Sequence, residues 1–557
     1  MTKDSKIALG VHVGHDRGAC IIKNGKVLAA LAQERVDRIK YSRSSEIPFE
    51  TINLLLSYCN LNMTNISCVG LSYDSVVGSS VYDLYKDEFF TYYQCEHIPF
   101  YFVSHHDAHA SAVYYSSGIG ESLIFISDGG GDLIDGKQES ESIYIGKNGR
   151  ITCISKRLQD IPVRNTIDPM NHLYPHMPEY IRNREISIAS KYAQITYLLK
   201  FGWGEAGKTM GLASYGKSLI DFSYLNYNEL NFSLKYGDII REIFIMQAIS
   251  GKNYKQFLKD ERANIANTIQ SYIERAVVTI VNSIIGKYHI SNLCLAGGLF
   301  LNCLANHKLM KQCDLRKVFI LPAAGDDGQS IGCAYHAYIK QFGYSRPFEI
   351  NLPFLGLSYT DNDMYSVVKD KNLNYVKYND DELVSIIAKF ISENKIIALH
   401  RGRTEIGPRA LCHRSIIANP VNPDMKDILN KRVKNRESFR PFAPTVIADE
   451  QFEYFDLYSE SDYMLFATNV KEQYRNKLSA VTHIDNTARV QAITKQQDSF
   501  IHSLLLEVKK SIGVPIILNT SFNVAGQPIV ESPLDAVNTF LATDIDVLVI
   551  GNYVIEK

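Results

Sequence analysis

The stretch I-A-L-G-V-H-V-G-H-D, residues 7–16, joins an apolar strand to a polar turn. The same pattern returns in residues 123–132 as L-I-F-I-S-D-G-G-G-D. After each copy come a second apolar run and an Asn-Gly pair, at residues 24–25 and 148–149, which favours a tight β-hairpin. The repeat predicts a duplicated α/β core in which the polar turns face each other across a cleft.

Two more strand ends farther along the chain carry small or acidic residues. The apolar run 293–296 leads into Gly297 and Gly298, and the run 318–321 leads into P-A-A-G-D-D-G, residues 322–328. Ligands bind at such strand ends in open α/β sheets, and glycine lets a backbone come close to a ligand. We therefore expect Gly297 and Gly298 to bind a cofactor. Apolar residues spaced by three and four from 265 to 284 predict a long amphipathic helix before this point.

A domain boundary is predicted near residues 344–356, where Pro347 and Pro353 interrupt the periodic pattern. The boundary divides the chain into a first domain, residues 1–350, and a second α/β domain, residues 351–557.

The composition is that of a globular protein and limits the classes of function. The chain has 557 residues, 46% of them hydrophobic, and its net charge of −1 argues against a general nucleic-acid binder. No run of 18 apolar residues occurs, so we expect no membrane association and a cytoplasmic protein. The ten cysteines include no C-x-x-C pair and are expected to be reduced thiols in the core. A homodimer is left open.

Residues 401–440 are strongly basic within this nearly neutral chain. They contain ten Arg or Lys and four Asp or Glu, a local balance of +6. The charges stand beside Gly and Pro, as in R-G-R-T-E-I-G-P-R and V-K-N-R-E-S-F-R-P-F-A-P. Guanidinium groups held by rigid loops suit phosphate and carboxylate oxygens. The block therefore predicts a site for a small anion, with a solvated basic face as the alternative.

Two histidines and two aspartates form a candidate metal site. His105 and His109 are four residues apart in S-H-H-D-A-H-A, so in a helix both imidazoles project from one face. Asp128 and Asp326 stand at two separate strand ends. Two imidazoles and two carboxylates suit a borderline divalent metal such as Fe, Mn or Zn.

Two other motifs have competing interpretations. His15 and Asp16 occupy the first polar turn, where Asp16 is a candidate general base and both residues are also suited to ordinary turn hydrogen bonds. The segment G-E-A-G-K-T, residues 204–209, is superficially similar to a phosphate-binding loop. Only two residues separate its glycines, and neither the preceding strand nor the following helix is evident, so we reject a P-loop NTPase.

Several stretches, taken in order over nearly the whole chain, resemble one family. They are G-H-D (14–16), Q-E-R-V-D-R-I-K (33–40), H-H-D-A-H-A (105–110), G-K-T-M-G-L-A-S-Y-G (207–216), G-G-L-F-L-N-C-L-A-N (297–306), P-A-A-G-D-D-G (322–328), R-G-R-T-E-I-G-P-R-A-L-C-H-R-S (401–415), F-R-P-F-A-P (439–444), T-A-R-V-Q (487–491) and L-N-T-S-F-N-V-A-G-Q-P-I-V (518–530). The chain resembles the ATP-dependent O-carbamoyltransferases, which include nodulation-type and antibiotic-tailoring enzymes such as tobramycin carbamoyltransferase.

The resemblance implies a fold and a division of labour. The N-terminal domain would have an actin/hexokinase-like ATPase fold, similar to the tRNA threonylcarbamoyl transferase. The C-terminal domain would have an α/β fold similar to threonylcarbamoyl-adenylate synthases. The C-terminal domain would form carbamoyl-adenylate from carbamoyl phosphate and ATP. The N-terminal domain would pass the carbamoyl group to a hydroxyl of a small-molecule acceptor, a natural product or a sugar.

The resemblance also implies site residues. The ligands of Fe²⁺ or another divalent metal would be His105, His109, Asp128 and Asp326. The residues that hold carbamoyl phosphate and ATP would be Arg409, Lys434, Arg440, Arg489, Asn519 and Ser521. Of these, Lys434 and Arg440 are expected to act in catalysis, together with His15 and Asp16, and a Mg²⁺ ion accompanying the nucleotide is left open.

Two other classes of protein remain open at this point. One is a tRNA-modifying enzyme similar to the threonylcarbamoyl transferase, although the near-neutral charge leads us to expect no nucleic-acid partner. The other is a nucleotide-dependent binding protein of actin fold, which explains the duplicated core but explains neither the four metal ligands nor the basic block.

Overall fold

The structure is a computed structural model that describes residues 5–557 except 74–79, 161–185, 203, 224, 226–235 and 345–352. The chain packs as two compact units: unit 1 is Met1–Ile66 with Ile350–Lys557, and unit 2 is Ser67–Glu349. One boundary therefore coincides with the predicted cut at residue 350. The grouping of the first 66 residues differs from the predicted first domain, and the functional division into 1–350 and 351–557 stays a prediction.

Unit 1 begins with an antiparallel meander. Its strands are β1 (Ile7–Val13), β2 (Gly18–Lys23) and β3 (Lys26–Ala32), and its helices are α1 (Glu34–Asp37) and α2 (Phe49–Tyr58). Asn24 and Gly25 join β2 to β3 with φ of 50° and 79°. Positive φ at both central residues is what a type I′ hairpin requires, so the Asn-Gly signal is confirmed.

Hydrogen bonds from two arginines explain why the first 66 residues belong to unit 1. The Arg35 guanidinium donates to the Gly407 carbonyl oxygen at 3.0 Å. The Arg38 guanidinium donates to the Ile529 carbonyl oxygen at 2.6 Å and lies 3.4 Å from the Asp535 carboxylate. These partners are remote in sequence, so no local pattern predicted them.

Unit 2 contains the second copy of the repeat. Its strands are β4 (Cys68–Tyr73), β5 (Phe100–Phe102), β6 (Glu121–Ser127), β7 (Leu133–Ile134), β8 (Lys137–Lys147), β9 (Arg150–Gln159), β10 (Asn292–Ala296) and β11 (Lys317–Ile320). Strands β6, β8 and β9 form an antiparallel meander, and β10 pairs in parallel with both β6 and β11. In the first copy, β1 to β3 form the meander and β4 and β5 form the parallel pair. This repeated arrangement confirms the duplicated, actin/hexokinase-like α/β core.

The helices of unit 2 surround this core. They are α3 (Ser80–Tyr93), α4 (His105–Ser116), α5 (Ile188–Leu198), α6 (Ala206–Ala213), α7 (Tyr236–Ile249), α8 (Tyr254–Asp260), α9 (Arg262–Tyr288), α10 (Cys303–Gln312) and α11 (Gln329–Phe342). Helix α9 is the predicted long helix, and its apolar face from Ile265 to Ile284 is buried. Across the described ranges, no helix has the length and apolar character needed to cross a bilayer.

The rest of unit 1 is the second α/β domain. Its strands are β12 (Val376–Lys377), β13 (Ile397–His400), β14 (Arg414–Ala418), β15 (Ala443–Ile447), β16 (Ala467–Asn469), β17 (Thr487–Arg489), β18 (Gln491–Ile493), β19 (Ile516–Ser521), β20 (Val547–Ile550) and β21 (Tyr553–Glu556). Its helices are α12 (Asp361–Asp370), α13 (Asp380–Ser392), α14 (Met425–Leu429), α15 (Gln451–Tyr454), α16 (Glu472–Arg475), α17 (Ser499–Ile512) and α18 (Pro533–Leu541).

An eight-stranded mixed sheet in the order β12-β21-β20-β13-β14-β19-β15-β18 forms the centre of this domain. Alternate residues of its strands feed two separate apolar cores. Ile397 packs with helices α13 and α17, whereas Ala398 packs in the other core with α18. The loops and turns that follow these strands carry the basic block.

Candidate metal centre and basic cluster

Helix α4 presents the two predicted histidine ligands. Ser104 caps the helix, because its hydroxyl accepts a hydrogen bond from the Asp107 backbone N–H at 3.3 Å. His105 and His109 are both buried, and their ring centroids are 5.0 Å apart. The helical spacing predicted from the sequence is therefore confirmed.

The two predicted aspartates come to the same place from separate strand ends. Asp128 directly follows β6, and its Oδ2 is 3.2 Å from His105 Nε2. Asp326 lies in the turn after β11, and its Oδ1 is 3.1 Å from His109 Nε2 and 3.3 Å from His105 Nε2. One ligand atom from each of the four residues lies within 4.8 Å of all the others. The strands that carry Asp128 and Asp326 are parallel in one sheet, which brings their ends to the same edge.

The charges of the four groups are strongly coupled. Burial opposes protonation of His105, but the carboxylates of Asp326 and Asp128 outweigh it and raise the pKa of His105 well above its usual value. Burial and the Asp326 charge oppose ionisation of Asp128. Hydrogen bonds from His105 and His109 outweigh both and lower the pKa of Asp128. The cluster therefore favours positive charge held between two carboxylates.

The donor set fits a divalent metal. Two neutral imidazoles and two carboxylates would carry two negative charges, which balance a divalent cation in a buried site. The nitrogen and oxygen donors suit Fe, Mn or Zn. His105, His109, Asp128 and Asp326 are therefore consistent with a metal site.

Backbone groups orient two of these side chains. The Gly298 N–H donates to Asp128 Oδ1 at 2.9 Å, and the His105 N–H donates to Asp132 Oδ2 at 3.1 Å. Gly297 has a φ of 100°, and a Cβ there would lie 2.2 Å from the Ser127 carbonyl oxygen. The close backbone approach predicted for this glycine pair is thus made to the chain itself. Cofactor binding by Gly297 and Gly298 stays a prediction.

Gln329 belongs to this cluster and was missed in the sequence. It is fully buried, and its Nε2 is 3.1 Å from Asp326 Oδ1 and 2.8 Å from His105 Nε2. A signal was available, because Gln329 follows Asp326 by three residues across a helical turn.

Lys434 is the centre of the basic cluster in unit 1. It closes a π-helical turn, Asn430–Lys434, that continues α14, and turns of this kind are frequent at functional sites. Its ammonium donates to the carbonyl oxygens of Ser521 and Asn523, and lies 3.4 Å from the Ser521 hydroxyl. The structure therefore brings the predicted residues Lys434 and Ser521 together.

Other cations surround Lys434. Burial, followed by the charges of Arg436, Arg440 and Lys40, lowers the pKa of Lys434 well below its usual value. Burial, followed by the charges of Arg440 and Arg489, lowers the pKa of Arg436 to about 9. Arg436 and Lys40 were not singled out in the sequence. Arg436 stands between two predicted residues in K-N-R-E-S-F-R, which was the available signal.

Arg440 and Arg436 differ in how they are held. The Arg436 Nε donates to Asn430 Oδ1 at 3.0 Å, and its guanidinium lies 4.4 Å from the centre of the Phe442 ring. The Arg440 guanidinium makes no hydrogen bond or ion pair with any residue in the described part of the chain. Glu437 is the acid that offsets the charge on Arg436. Such a group of like charges suits a ligand with several negative oxygens.

Asn519 is placed differently from Ser521. Its Nδ2 donates to Gln491 Oε1 at 3.0 Å and to Thr445 Oγ1 at 3.1 Å in the buried interior, and its Oδ1 has no hydrogen-bond partner among the described residues. Arg409 lies half-buried in the loop between β13 and β14. The roles of Asn519, Arg409 and Arg489 in ligand binding stay predictions.

His15 and Asp16 form a pair in the first polar turn. His15 Nδ1 is 3.0 Å from Asp16 Oδ2, and the His15 ring stacks on Tyr41 at 6.2 Å between centroids. Asp16 has a φ of 54° and donates its backbone N–H to the Tyr41 carbonyl oxygen. A catalytic role for His15 and Asp16 stays a prediction.

Comparisons with known proteins agree with this arrangement. A family described as "Carbamoyltransferase N-terminus" matches residues 81–335, and one described as "Carbamoyltransferase C-terminus" matches residues 388–557. The first range contains the four candidate metal ligands, and the second contains the basic cluster apart from Lys40.

Individual relatives match most of the chain. Nodulation protein NolNO of Sinorhizobium fredii is 30% identical over 98% of this chain and 79% of its own length. Nodulation protein NolO of Bradyrhizobium diazoefficiens is 30% identical over 82% of this chain and 79% of its own length. Among solved structures, full-length HypF is 16% identical over 61% of this chain and 57% of that chain, with a TM-score of 0.40. With both halves matched and a relative aligned over nearly its full length, the chain belongs to the carbamoyltransferase family of enzymes.

Proposed function

We propose that this enzyme is an ATP-dependent O-carbamoyltransferase. It forms carbamoyl-adenylate from carbamoyl phosphate and ATP at the basic cluster, and transfers the carbamoyl group to a hydroxyl of a small-molecule acceptor at the metal centre. The observation that carries the proposal is the basic cluster. Lys434, Arg436 and Arg440 are held close together despite their mutual repulsion. A ligand with several phosphates offsets that repulsion.

Adenylate formation needs two bond changes that balance as follows. Water cleaves the bond between the carbamoyl oxygen and phosphorus in carbamoyl phosphate, which releases inorganic phosphate and leaves carbamate. A carbamate oxygen then attacks the α-phosphorus of ATP, and pyrophosphate leaves. The product is a mixed anhydride whose leaving group, AMP, is far better than the hydroxide that carbamate itself would have to expel.

The residues of the basic cluster assist both changes. Negative oxygens of carbamate and triphosphate must approach each other, and the cations reduce that repulsion by charge-assisted hydrogen bonds. The Arg440 guanidinium is the group with open donors, and Lys434 is fixed by carbonyl oxygens of Ser521 and Asn523. Charge that develops on the departing pyrophosphate is stabilised by the same groups.

The transfer step belongs to the second cluster. A divalent ion, when bound by His105, His109, Asp128 and Asp326, supplies Lewis acidity toward a carbonyl or phosphoryl oxygen. The acceptor oxygen attacks the carbamoyl carbon, the bond to the AMP oxygen breaks, and the hydroxyl proton passes to a base. Asp16, paired with His15, is the candidate base.

Release of pyrophosphate from ATP tests the proposal. Purified protein loaded with metal should release pyrophosphate only when carbamoyl phosphate is present, and Arg440→Ala should lower the rate by about 100-fold or more. Arg432→Ala is the matched control, because Arg432 lies in the same block but is paired with Asp546 at 2.6 Å. Carbamoyl-phosphate-independent release, or equal rates for Arg440→Ala and the wild type, would contradict the proposal.

Two further measurements define the acceptor. Hydroxylated small molecules should gain the mass of one carbamoyl group in the presence of carbamoyl phosphate and ATP. A tRNA-modifying enzyme would instead bind tRNA with a steep dependence on salt. Tight, salt-sensitive tRNA binding without mass gain on any small hydroxylated compound would favour that alternative.

A further inference from the structure

Gln329 reaches into the metal centre from the first turn of helix α11. Its side chain is fully buried. The amide nitrogen lies 2.8 Å from His105 Nε2, 3.1 Å from Asp326 Oδ1 and 3.3 Å from His109 Nε2. The amide group is therefore in contact with the ligand atoms of three of the four candidate metal ligands.

Ser72 holds the other end of this amide. The Ser72 hydroxyl, also fully buried, donates to Gln329 Oε1 at 2.9 Å. A hydroxyl is both a donor and an acceptor, so Ser72 can pair with the amide in either of its two orientations. Rotation of the amide by half a turn exchanges its oxygen and nitrogen without displacing the rest of the side chain.

The chemistry of the cluster decides which end of the amide faces a bound cation. The N–H groups carry the positive end of the amide dipole and are repelled by a cation among the same ligand atoms. The carbonyl oxygen carries the negative end and is a donor that hard and borderline divalent metals accept. With the oxygen turned inward, the amide nitrogen donates to the Ser72 hydroxyl.

We propose that Gln329 Oε1 is a fifth ligand of the metal, and that its amide nitrogen takes the cation's place among His105, His109 and Asp326 when the metal is absent. Ser72 is the positioning residue that stabilises both orientations. The inference rests on the metal centre of the proposed function and adds a neutral oxygen ligand to it.

A fifth ligand changes which metals the site prefers. Zn²⁺ favours four ligands in a tetrahedral arrangement, whereas Mn²⁺ and Fe²⁺ accept more ligands and suit oxygen donors. Gln329 should therefore raise the affinity for Mn²⁺ or Fe²⁺ relative to Zn²⁺. In this way one uncharged side chain sets the selectivity of a site whose charged ligands would suit all three ions.

Dissociation constants for Mn²⁺ and Zn²⁺, measured by competition with a chelator, test this inference without any assay of activity. Gln329→Leu keeps the bulk and removes the oxygen, and should weaken Mn²⁺ binding by about tenfold or more while Zn²⁺ binding changes by less than about threefold. Gln329→Glu should keep or raise the Mn²⁺ affinity. Ser72→Ala, which removes the support of the amide, should weaken Mn²⁺ binding by a smaller factor than Gln329→Leu.

Gln341→Leu is the matched control. Gln341 lies in the last turn of the same helix, is exposed and bonds to the Tyr101 hydroxyl, so its loss should leave both affinities unchanged. Unchanged Mn²⁺ affinity in Gln329→Leu, or an equal loss of Mn²⁺ and Zn²⁺ affinity, would overturn the inference, the latter because a merely structural role moves both metals together.

Two outcomes remain distinguishable from failure of the proposed function. If Gln329→Leu does not fold, Gln329→Glu and Ser72→Ala decide, and wild-type selectivity in both overturns the inference. If the wild type binds neither metal, both the inference and the metal-assisted transfer step fall. Pyrophosphate release at the basic cluster is measured separately and survives either result.

Discussion

The backbone N–H of Gly298 donates to Asp128 Oδ1 at 2.9 Å and so fixes the carboxylate that faces the two histidines. The other oxygen, Oδ2, lies 3.2 Å from His105 Nε2. The N–H is in place because Gly297, one residue earlier, packs its Cα against the end of β6, where any side chain would meet the Ser127 carbonyl oxygen.

Gly297→Ala should therefore lose both stability and metal binding. The Cβ would lie 2.2 Å from a backbone oxygen at a φ of 100°. We expect the free energy of unfolding to fall by about 3 kcal/mol or more, since a strained φ alone costs about 1–3 kcal/mol. Gly136→Ala, at a φ of 77° with no atom near the new Cβ, isolates the cost of the φ and should keep wild-type Mn²⁺ binding. Denaturant unfolding and Mn²⁺ titration measure both effects, and equal losses in the two variants would refute the contact.

His109→Ala should abolish tight metal binding while carbamoyl-phosphate-dependent pyrophosphate release persists. The His109 imidazole supplies one of the four ligand atoms that lie within 4.8 Å of one another. Metal content by elemental analysis should fall to background in His109→Ala and stay at the wild-type value in His97→Ala, where the histidine is exposed. Retention of metal by His109→Ala would remove this residue from the site.

Arg436→Lys should weaken ATP binding although it keeps the charge. Lysine has neither the planar fork that stacks on Phe442 nor the Nε–H that bonds to Asn430. A loss of about 10- to 100-fold in affinity is expected, in line with about 1.5–3 kcal/mol for hydrogen bonds to charged groups. Calorimetric titration measures it, with Lys431→Arg as the exposed control in the same turn. An unchanged ATP affinity would show that Arg436 contributes only charge.

Stability should depend on pH through Lys434. Burial and neighbouring cations lower its pKa in the folded protein well below the value of about 10.4 for an unfolded lysine. Between these two pKa values the unfolded chain binds more protons, so the wild type gains stability as the pH rises through that window. Below the lowered pKa, the full cost of the buried charge is present. Unfolding free energies of the wild type and Lys434→Met, compared at several pH values, should converge at high pH, and a constant difference would contradict the assignment.

Arg38→Ala should destabilise unit 1. The guanidinium donates to carbonyl oxygens of Pro528 and Ile529, which lie in a loop before α18, and pairs with Asp535. We expect a loss of about 2–4 kcal/mol, because carbonyl groups are left partly buried without their donor. Arg150→Ala, at an exposed position of unit 2, should cost less than about 0.5 kcal/mol. Chemical unfolding curves separate the two, and an equal effect would show that the Arg38 contacts add nothing.

Local patterns predicted most of the metal centre. Two histidines four apart must share a helix face, and acids after parallel strands must meet at one sheet edge, so His105, His109, Asp128 and Asp326 followed from spacing alone. Gln329 did not, because a glutamine is uncharged and common, and its place depends on the turn that joins Asp326 to α11.

Contacts between distant segments were beyond sequence reasoning. The cations around Lys434 come from the turn 430–440, from β17 and from the segment after α1. Charge counting identified the turn but could not reveal that Lys40 would join it. The same limit applies to Arg38, whose partner Pro528 lies 490 residues away.

The grouping of Met1–Ile66 with Ile350–Lys557 has a consequence for the birth of the protein on the ribosome. Arg35 and Arg38 are synthesised early, but their partners at Gly407 and Ile529 emerge only after the intervening 283 residues of Ser67–Glu349 have been made. At about 5–20 residues per second, translation of that insert alone takes about 15–60 seconds. During this interval the nascent segment must be kept from aggregating, so expression yield should respond to chaperone supply more than the stability of the finished enzyme would indicate.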